Sequence, residues 1–267
     1  MSVSSIVSWV DVMLIYGINA VAEALRAGHV VSLSVLDSQT SRLAQIVKLA
    51  NKQGLSPERL SKEELSRAAG VHSHQGVIAQ ISRLQEVEVR DLIEKGISPP
   101  LLLVLDGVED PQNFGAILRT ADAAGVQGVI HQKRRSSYIG AATVKASSGA
   151  LAHVPIASVV NIARSLQELK DLGVWTVGLS DDATQRYDAI DLTLPTAIVM
   201  GAEGRGLRRL VRERCDWLVS IPMAGKLTSL NVSVATGIAL FEAVRQRRDA
   251  DSLVIKGEKG KMKRTKN

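Results

Sequence analysis

Three polar, glycine-bearing stretches hold the residues whose types and spacing suit chemistry. The first is Asp106-Gly107-Val108-Glu109-Asp110-Pro111-Gln112-Asn113-Phe114-Gly115-Ala116-Ile117-Leu118-Arg119. Asn113 stands at the entry to a helix, where a lone Asn reads first as an N-cap. Arg119 follows six residues on, about 240° around that helix, and an Arg amid Ala, Ile, Leu and Thr reads first as a surface cation with a buried stem. The second stretch, Met200-Gly201-Ala202-Glu203-Gly204-Arg205-Gly206, follows an apolar strand directly. Its glycines let a ligand approach the backbone closely, and Glu203 also suits the N-terminus of the next helix. The third runs Ile221-Pro222-Met223-Ala224-Gly225-Lys226-Leu227-Thr228-Ser229-Leu230-Asn231. Here Ser229 is a candidate cap for the last helix.

Familiar patterns fail on these residues. The second stretch is not G-x-G-x-x-G. Gly225-Lys226 lacks both the Gly five residues earlier, where Ser220 stands, and the Ser or Thr after the Lys, where Leu227 stands, so it is no Walker loop. No G-x-S-x-G elbow is present. His72 and His74 form an H-x-H pair without any Cys cluster and read as ordinary loop histidines. Cys215 is the single cysteine, which excludes an internal disulfide framework and Cys-rich metal sites and fits a reducing cytoplasm. Aromatics make up 3% of the chain, which argues against reading single strands by stacking on rings. The most apolar stretch, near Ile6 to Ala24, is broken by Asp11 and Asn19 and is neither a membrane span nor a secretory signal.

Charge is unevenly placed. The net charge is +6, yet six cations from Lys256 onward face only Glu258, so residues 1–255 carry just +1. Residues 249–267 read as a basic, unstructured tail that either adds sequence-independent attraction to phosphates or is simply solvated. Lys133-Arg134-Arg135 and Arg205, Arg208, Arg209, Arg212 and Arg214 are further candidates for RNA backbone contact, each readable also as a solvated charge.

The elements that must position these stretches fall into two groups. Residues 1–12 are an apolar extension. Within 13–85, Asn19 reads as an N-cap, Val30 to Leu36 alternates as a half-buried strand does, and Leu43, Ile46, Val47 and Ala50 repeat at helical spacing. Ser61 with Glu64 forms a capping box, and 76–81 is a strand. A charged linker, 86–100, ends in Ser98-Pro99-Pro100 and has room for one helical turn. Leu101 to Leu105 then opens a run of strands and helices to 248, including helices near 113–124, 140–147, 160–171, 206–214 and 231–248. A strand buried on both faces and this alternation predict a parallel sheet with helices on both sides. The three stretches sit at strand C-terminal ends, where such sheets bind ligands.

Taken in this order at those strand ends, the three stretches resemble the SpoU family of RNA ribose 2′-O-methyltransferases, most nearly the subgroup acting on a guanosine of 23S ribosomal RNA. The resemblance extends from Tyr16 to Arg248 and takes in Tyr16-Gly17-Ile18-Asn19-Ala20-Val21 and His74-Gln75-Gly76-Val77. One departure is at Ala152, near which relatives commonly carry an acidic residue.

The resemblance implies an α/β catalytic domain, 101–248, whose C-terminal part is threaded into a trefoil knot of SPOUT type. It implies a small N-terminal α/β domain that binds the RNA substrate, and a homodimer. The implied cofactor is S-adenosylmethionine, held near Gly201, Ile221, Met223 and Leu230. Its methyl group is already activated, so no metal is needed. Arg119 corresponds to the family's essential arginine. A guanidinium does not give up its proton in proteins, so its implied role is to clamp RNA phosphate and stabilise the developing alkoxide. Asn113 would orient Arg119 or the ribose, Glu203 would position Arg119 or neighbouring backbone groups, and Ser229 and Asn231 would shape the site through hydrogen bonds. The alternatives are a transfer RNA substrate, or a non-catalytic RNA-binding or ribosome-assembly protein that keeps this fold. The expected location is the cytoplasm, with no membrane partner.

Overall fold

The computed structural model describes residues 12–38, 40–82, 87–94, 98–133, 143, 146–147 and 149–264. Contacts sort the chain into two compact units. The first comprises residues 1–85 with 114–119 and 137–153, and the second comprises 86–113, 120–136 and 154–267.

The first unit is built on β1 (Val12–Tyr16), α1 (Ile18–Arg26), β2 (Val30–Leu36), α2 (Ser41–Lys52), β3 (Glu58–Leu60), α3 (Lys62–Ala69) and β4 (Val77–Ser82). Its sheet runs β1-β4-β2-β3, with β4 antiparallel to both neighbours and β3 parallel to β2. Leu43, Ile46 and Ala50 form the buried face of α2, as their spacing predicts. The capping box at α3 is complete: Ser61 Oγ accepts from the Glu64 N–H, and the Ser61 N–H donates to Glu64 Oε2.

Asn19 is not a cap. Gly17, at φ 95°, takes the N-cap position of α1, and Asn19 is exposed inside the first turn. The freed Ile18 N–H donates instead to Gln75 Oε1 at 2.9 Å. Gln75 reaches it from a turn before β4, where it holds a φ of 56°. Val12 belongs to β1 rather than to an extension, and residues 1–11 lie outside the described residues.

The second unit follows as α4 (Val89–Glu94), β5 (Leu101–Asp106), α5 (Pro111–Ala123, of which 114–119 sort with the first unit), β6 (Gly128–Gln132), β7 (Ile156–Val159), α6 (Ile162–Asp171), β8 (Trp175–Leu179), β9 (Gln185–Arg186), β10 (Thr196–Gly201), α7 (Arg209–Arg214), β11 (Trp217–Ser220) and α8 (Val232–Arg264). The sheet order is β7-β6-β5-β10-β8-β11-β9, and every pairing is parallel. All of Leu101–Asp106 is buried, as a central strand covered on both faces requires. Leu102, Val104, Ile130, Ala197 and Val199 pack with Ile162, Leu166 and Leu169 of α6 and Val211 of α7 on one face. Packing of α8 against β10 buries Ala239, Leu240 and Ala243. Arg247 of α8 donates to the carbonyls of Pro99, Pro100, Leu192 and Leu194, which ties the helix to the strand-start end of the sheet.

Two boundaries differ from the sequence reading, those of α7 and α8. The helix expected over 140–147 lies mostly outside the described residues. The left-handed backbone of Gly206, φ 63°, delays α7 to Arg209. Helix α8 continues past 248 into the stretch read as an unstructured tail. That stretch has no proline, and each glycine costs a helix only about 1 kcal/mol.

Replacing Ser61 with Ala removes one half of the capping box. It is expected to cost about 0.5–2 kcal/mol in urea denaturation and to speed amide exchange at Glu64. Unchanged exchange there would show that the box does not hold the helix start.

Candidate active site

The site is assembled where β5, β10 and β11 end and α5 and α8 begin. Pro111 occupies the first turn of α5, and Asp110, not Asn113, caps it: Asp110 Oδ1 accepts from the N–H groups of Gln112 (2.5 Å) and Asn113 (3.2 Å). The Asn113 side chain is therefore released from capping. Its Nδ2 donates to Glu203 Oε2 at 3.2 Å, and its Oδ1 accepts from Asn231 Nδ2 at 2.9 Å. Asn231, rather than Ser229, caps α8, because its Oδ1 accepts from the N–H (2.9 Å) and hydroxyl (2.6 Å) of Ser233. One hydrogen-bonded line thus joins the three stretches in the order Ser233, Asn231, Asn113, Glu203. Glu203 makes no capping bond to α7, whose start has no side-chain cap hydrogen bond.

A buried carboxylate sets the loop that carries Glu203. Asp106, the last residue of β5, is fully buried and accepts from the Arg208 backbone N–H (2.8 Å) and from Nε (2.6 Å), with Arg208 Nη2 completing the ion pair. Between β10 and Arg208 the chain closes on itself through paired Ala202 and Gly206 backbone bonds. A side chain at Gly201 would collide with the backbone of Gly206 and Leu207, so this approach requires glycine.

Beyond the strand ends lies a cavity of about 450 Å³. Gly201, Glu203, Ile221, Met223, Ser229 and Leu230, all singled out in the sequence, line it. So do Ser180, Asp182 and Arg212, which the sequence reading did not assign to the site. Arg212 Nη1 donates to Asp182 (2.7 Å) and Ser180 (2.9 Å). The Arg212 guanidinium, with the Ser180 hydroxyl second, pulls the Asp182 carboxyl down to about 2. A cavity of about 320 Å³ is lined by Asp106, Glu109, Asp110, Asn113, Glu203 and Arg205, among others.

Arg119 is exposed on α5 and, among the described residues, makes no hydrogen bond or ion pair. It lines neither cavity. Most of the other arginines proposed for RNA contact are already engaged, Arg208 by Asp106, Arg209 by Glu213, Arg212 by Asp182 and Arg214 by Gln167. Arg134 and Arg135 lie outside the described residues. His74 is buried with Ser66 on Nε2 and the Gly76 N–H on Nδ1, and burial is the first cause lowering its proton affinity. Burial likewise pushes the Cys215 thiol up to about 12, which makes it an unreactive packing residue.

Sequence could have exposed Asp106 through one signal, a carboxylate ending an otherwise apolar buried strand. Arg208, Ser180 and Asp182 carried no such mark.

A parallel sheet with a glycine-closed loop and a cavity beyond its strand ends is the frame of an α/β enzyme, and its family is identifiable. Residues 100–241 match the SpoU rRNA Methylase family, and residues 14–87 match the RNA 2′-O ribose methyltransferase substrate binding family. The chain belongs to the SpoU rRNA methylase family. It is similar to the 23S rRNA (guanosine-2′-O-)-methyltransferase RlmB of Ralstonia nicotianae, 51% identical over 207 residues covering 77% of this chain and 83% of that one. RlmB of Photobacterium profundum is 46% identical over 239 residues, 88% and 98% of the two chains. Among solved structures, the SpoU methyltransferase AviRb from Streptomyces viridochromogenes in complex with AdoMet aligns with a TM-score of 0.77 at 25% identity, over 90% of this chain and 92% of that one.

If close backbone approach is what Gly201 supplies, Gly201→Ala should cost about 1–3 kcal/mol through overpacking. Gly225→Ala, where a Cβ meets open space, should stay within about 0.5 kcal/mol. Equal losses at both positions in urea denaturation would contradict this account of the loop.

Proposed function

We propose that this chain transfers the methyl group of S-adenosylmethionine to a ribose 2′-hydroxyl in RNA, the target being a guanosine of 23S ribosomal RNA. The observation that carries the reading is the hydrogen-bonded union of all three stretches, through Asn113, beside a cavity of cofactor size. The RlmB relatives supply the RNA and nucleotide.

The residues present suit the cofactor. Leu179, Val219, Leu230 and Val232 give the cavity apolar walls for an adenosine, and carboxylates at Asp181, Asp182 and Glu203 face it for a cationic ligand. Gly201, Ile221, Met223 and Leu230 are the residues that would hold it. When bound, S-adenosylmethionine supplies a methyl group on a sulfonium leaving group. The new bond joins that methyl to O2′, the broken bond is S–CH3, and the proton leaves to phosphate or water.

The work left to the protein is alignment and charge stabilisation. Arg119, without a hydrogen-bond or ion-pair partner among the described residues, clamps RNA phosphate and stabilises the developing alkoxide with its planar fork. Asn113, pinned by Glu203 and Asn231, fixes the first turn of the helix that bears Arg119. Ser229 contributes a hydroxyl at the cavity wall.

The same reading extends to assembly. The C-terminal part of the methyltransferase domain is threaded as a trefoil knot, and residues 13–85 form the RNA-binding domain. The chain acts as a homodimer through α8, on which Val234 (51% exposed) and Phe241 (50%) leave an apolar stripe at i, i+7 spacing. The cations beyond residue 256 add sequence-independent attraction to RNA. A ribosomal RNA target and a single, half-buried cysteine fit a cytoplasmic protein.

Transfer of tritiated methyl to 23S rRNA, followed by nucleoside mapping, tests the proposal. Arg119→Ala should lower kcat at least a hundredfold while S-adenosylmethionine affinity stays within about twofold, and Lys at this position should rescue poorly. Normal turnover in Arg119→Ala would remove the arginine from the mechanism, and methylation of transfer RNA alone would replace the substrate.

A further inference from the structure

The first unit contains a cavity that none of the chemistry above uses. It is a groove of about 740 Å³ between α2 and the β2–β3 edge. Val35 and Leu43, both buried, and half-buried Val47 make an apolar floor. The rim carries Lys48 and Lys52, exposed and without an ion-pair partner among the described residues. One helical turn separates them, a rise of about 6 Å along the α2 axis. Arg59, anchored by Asp37 at 3.1 Å, flanks the opposite side. Among the described residues the groove lining includes no carboxylate.

Two polar groups complete the groove. Ser38 Oγ lines it, is buried, and has no hydrogen-bond partner among the described residues. A buried hydroxyl left unpaired costs about 1–3 kcal/mol, so it marks a place where an outside partner would be favoured. Asn51 offers a donor and an acceptor at the rim.

We propose that this groove takes one unpaired nucleotide of the RNA substrate, with its base on the Val35–Leu43–Val47 floor and its flanking phosphates on Lys48 and Lys52. The inference rests on the methyltransferase reading and deepens it by placing a contact on the substrate-binding unit. An apolar floor with two amide or hydroxyl groups recognises a flat heterocycle, and adjacent cations on one helix face match neighbouring phosphates. Duplex RNA keeps its bases stacked and cannot fill the floor, so the ligand is a splayed base in a loop or bulge. An acidic protein segment would use the cations but leave Ser38 and the floor without a purpose.

The test uses the full chain and a short unstructured single-stranded RNA, followed by fluorescence anisotropy across a salt series. Lys48→Gln with Lys52→Gln should weaken binding roughly tenfold and reduce the salt slope by about 1.4, the value for two single-strand phosphates. Ala44→Trp, at an exposed position on the groove wall, should weaken binding by steric filling and leave the slope nearly intact. Both variants should keep wild-type affinity for S-adenosylmethionine and wild-type melting, and a duplex of the same sequence should not distinguish them from wild type. Unchanged single-strand affinity and slope in both variants would overturn the groove, as would displacement of the RNA by polyglutamate at equal charge concentration. Wild-type methyl transfer to 23S rRNA is measured in parallel. Its presence alongside unchanged variants refutes the groove alone, and its absence alongside weakened variants refutes the methyltransferase reading alone.

Discussion

The candidate site depends on the polarity of a short hydrogen-bonded line. At one end Glu203, as a carboxylate, can only accept. At the other, the Ser233 N–H at the start of α8 can only donate. Between them the two amides have one consistent arrangement: Asn231 turns its oxygen to Ser233 and its nitrogen to Asn113, which turns its nitrogen to Glu203. Both orientations are thereby fixed without any ligand. Segments 118 residues apart in sequence meet in one bond, and the start of α5 is locked to the start of α8. Preorganisation of this kind reduces what a reaction must spend on orienting its groups.

The rest of the second unit serves that line by fixing its two ends. Asp106 holds the Glu203 loop from below through Arg208, in a place where a buried carboxylate without such donors would be costly. Gly201 lets the loop fold back on its own strand. At the far end of the sheet Arg247 grips four carbonyls and so fixes the axis of α8, whose first turn presents Asn231. The relay itself is solvent-exposed, so its value is positional more than energetic.

Much of this was legible in the sequence where a single element carries the signal. The run Leu101 to Leu105 announced a strand buried on both faces, and Ser61 with Glu64 announced a helix start. The resemblance to the family picked out Gly201, Glu203, Ile221, Met223, Ser229 and Leu230, which line the cavity, but not Ser180, Asp182 or Arg212, which line it too. What stayed hidden involves partners distant in sequence. Asn19 looked like a cap because local rules see only neighbours, whereas the actual partner of α1 is Gln75, 57 positions from Ile18. Asn113 looked like a cap for the same reason, and Asp110 with Pro111 displaced it by one turn. The two-residue β9 and the four-residue β7 are too short for any periodicity to register. The union of Asn113 with Glu203 and Asn231 follows from the sheet order, in which β10 lies beside β5.

A double-mutant cycle on the rate of methyl transfer to 23S rRNA, built from Asn113→Ala, Asn231→Ala and the pair together, tests the central claim most directly. If the two amides act through one bond, each single change should remove most of what the pair removes, with a coupling of at least about 1 kcal/mol. Losses that simply add would contradict the account, and would mean that the two residues serve the site separately.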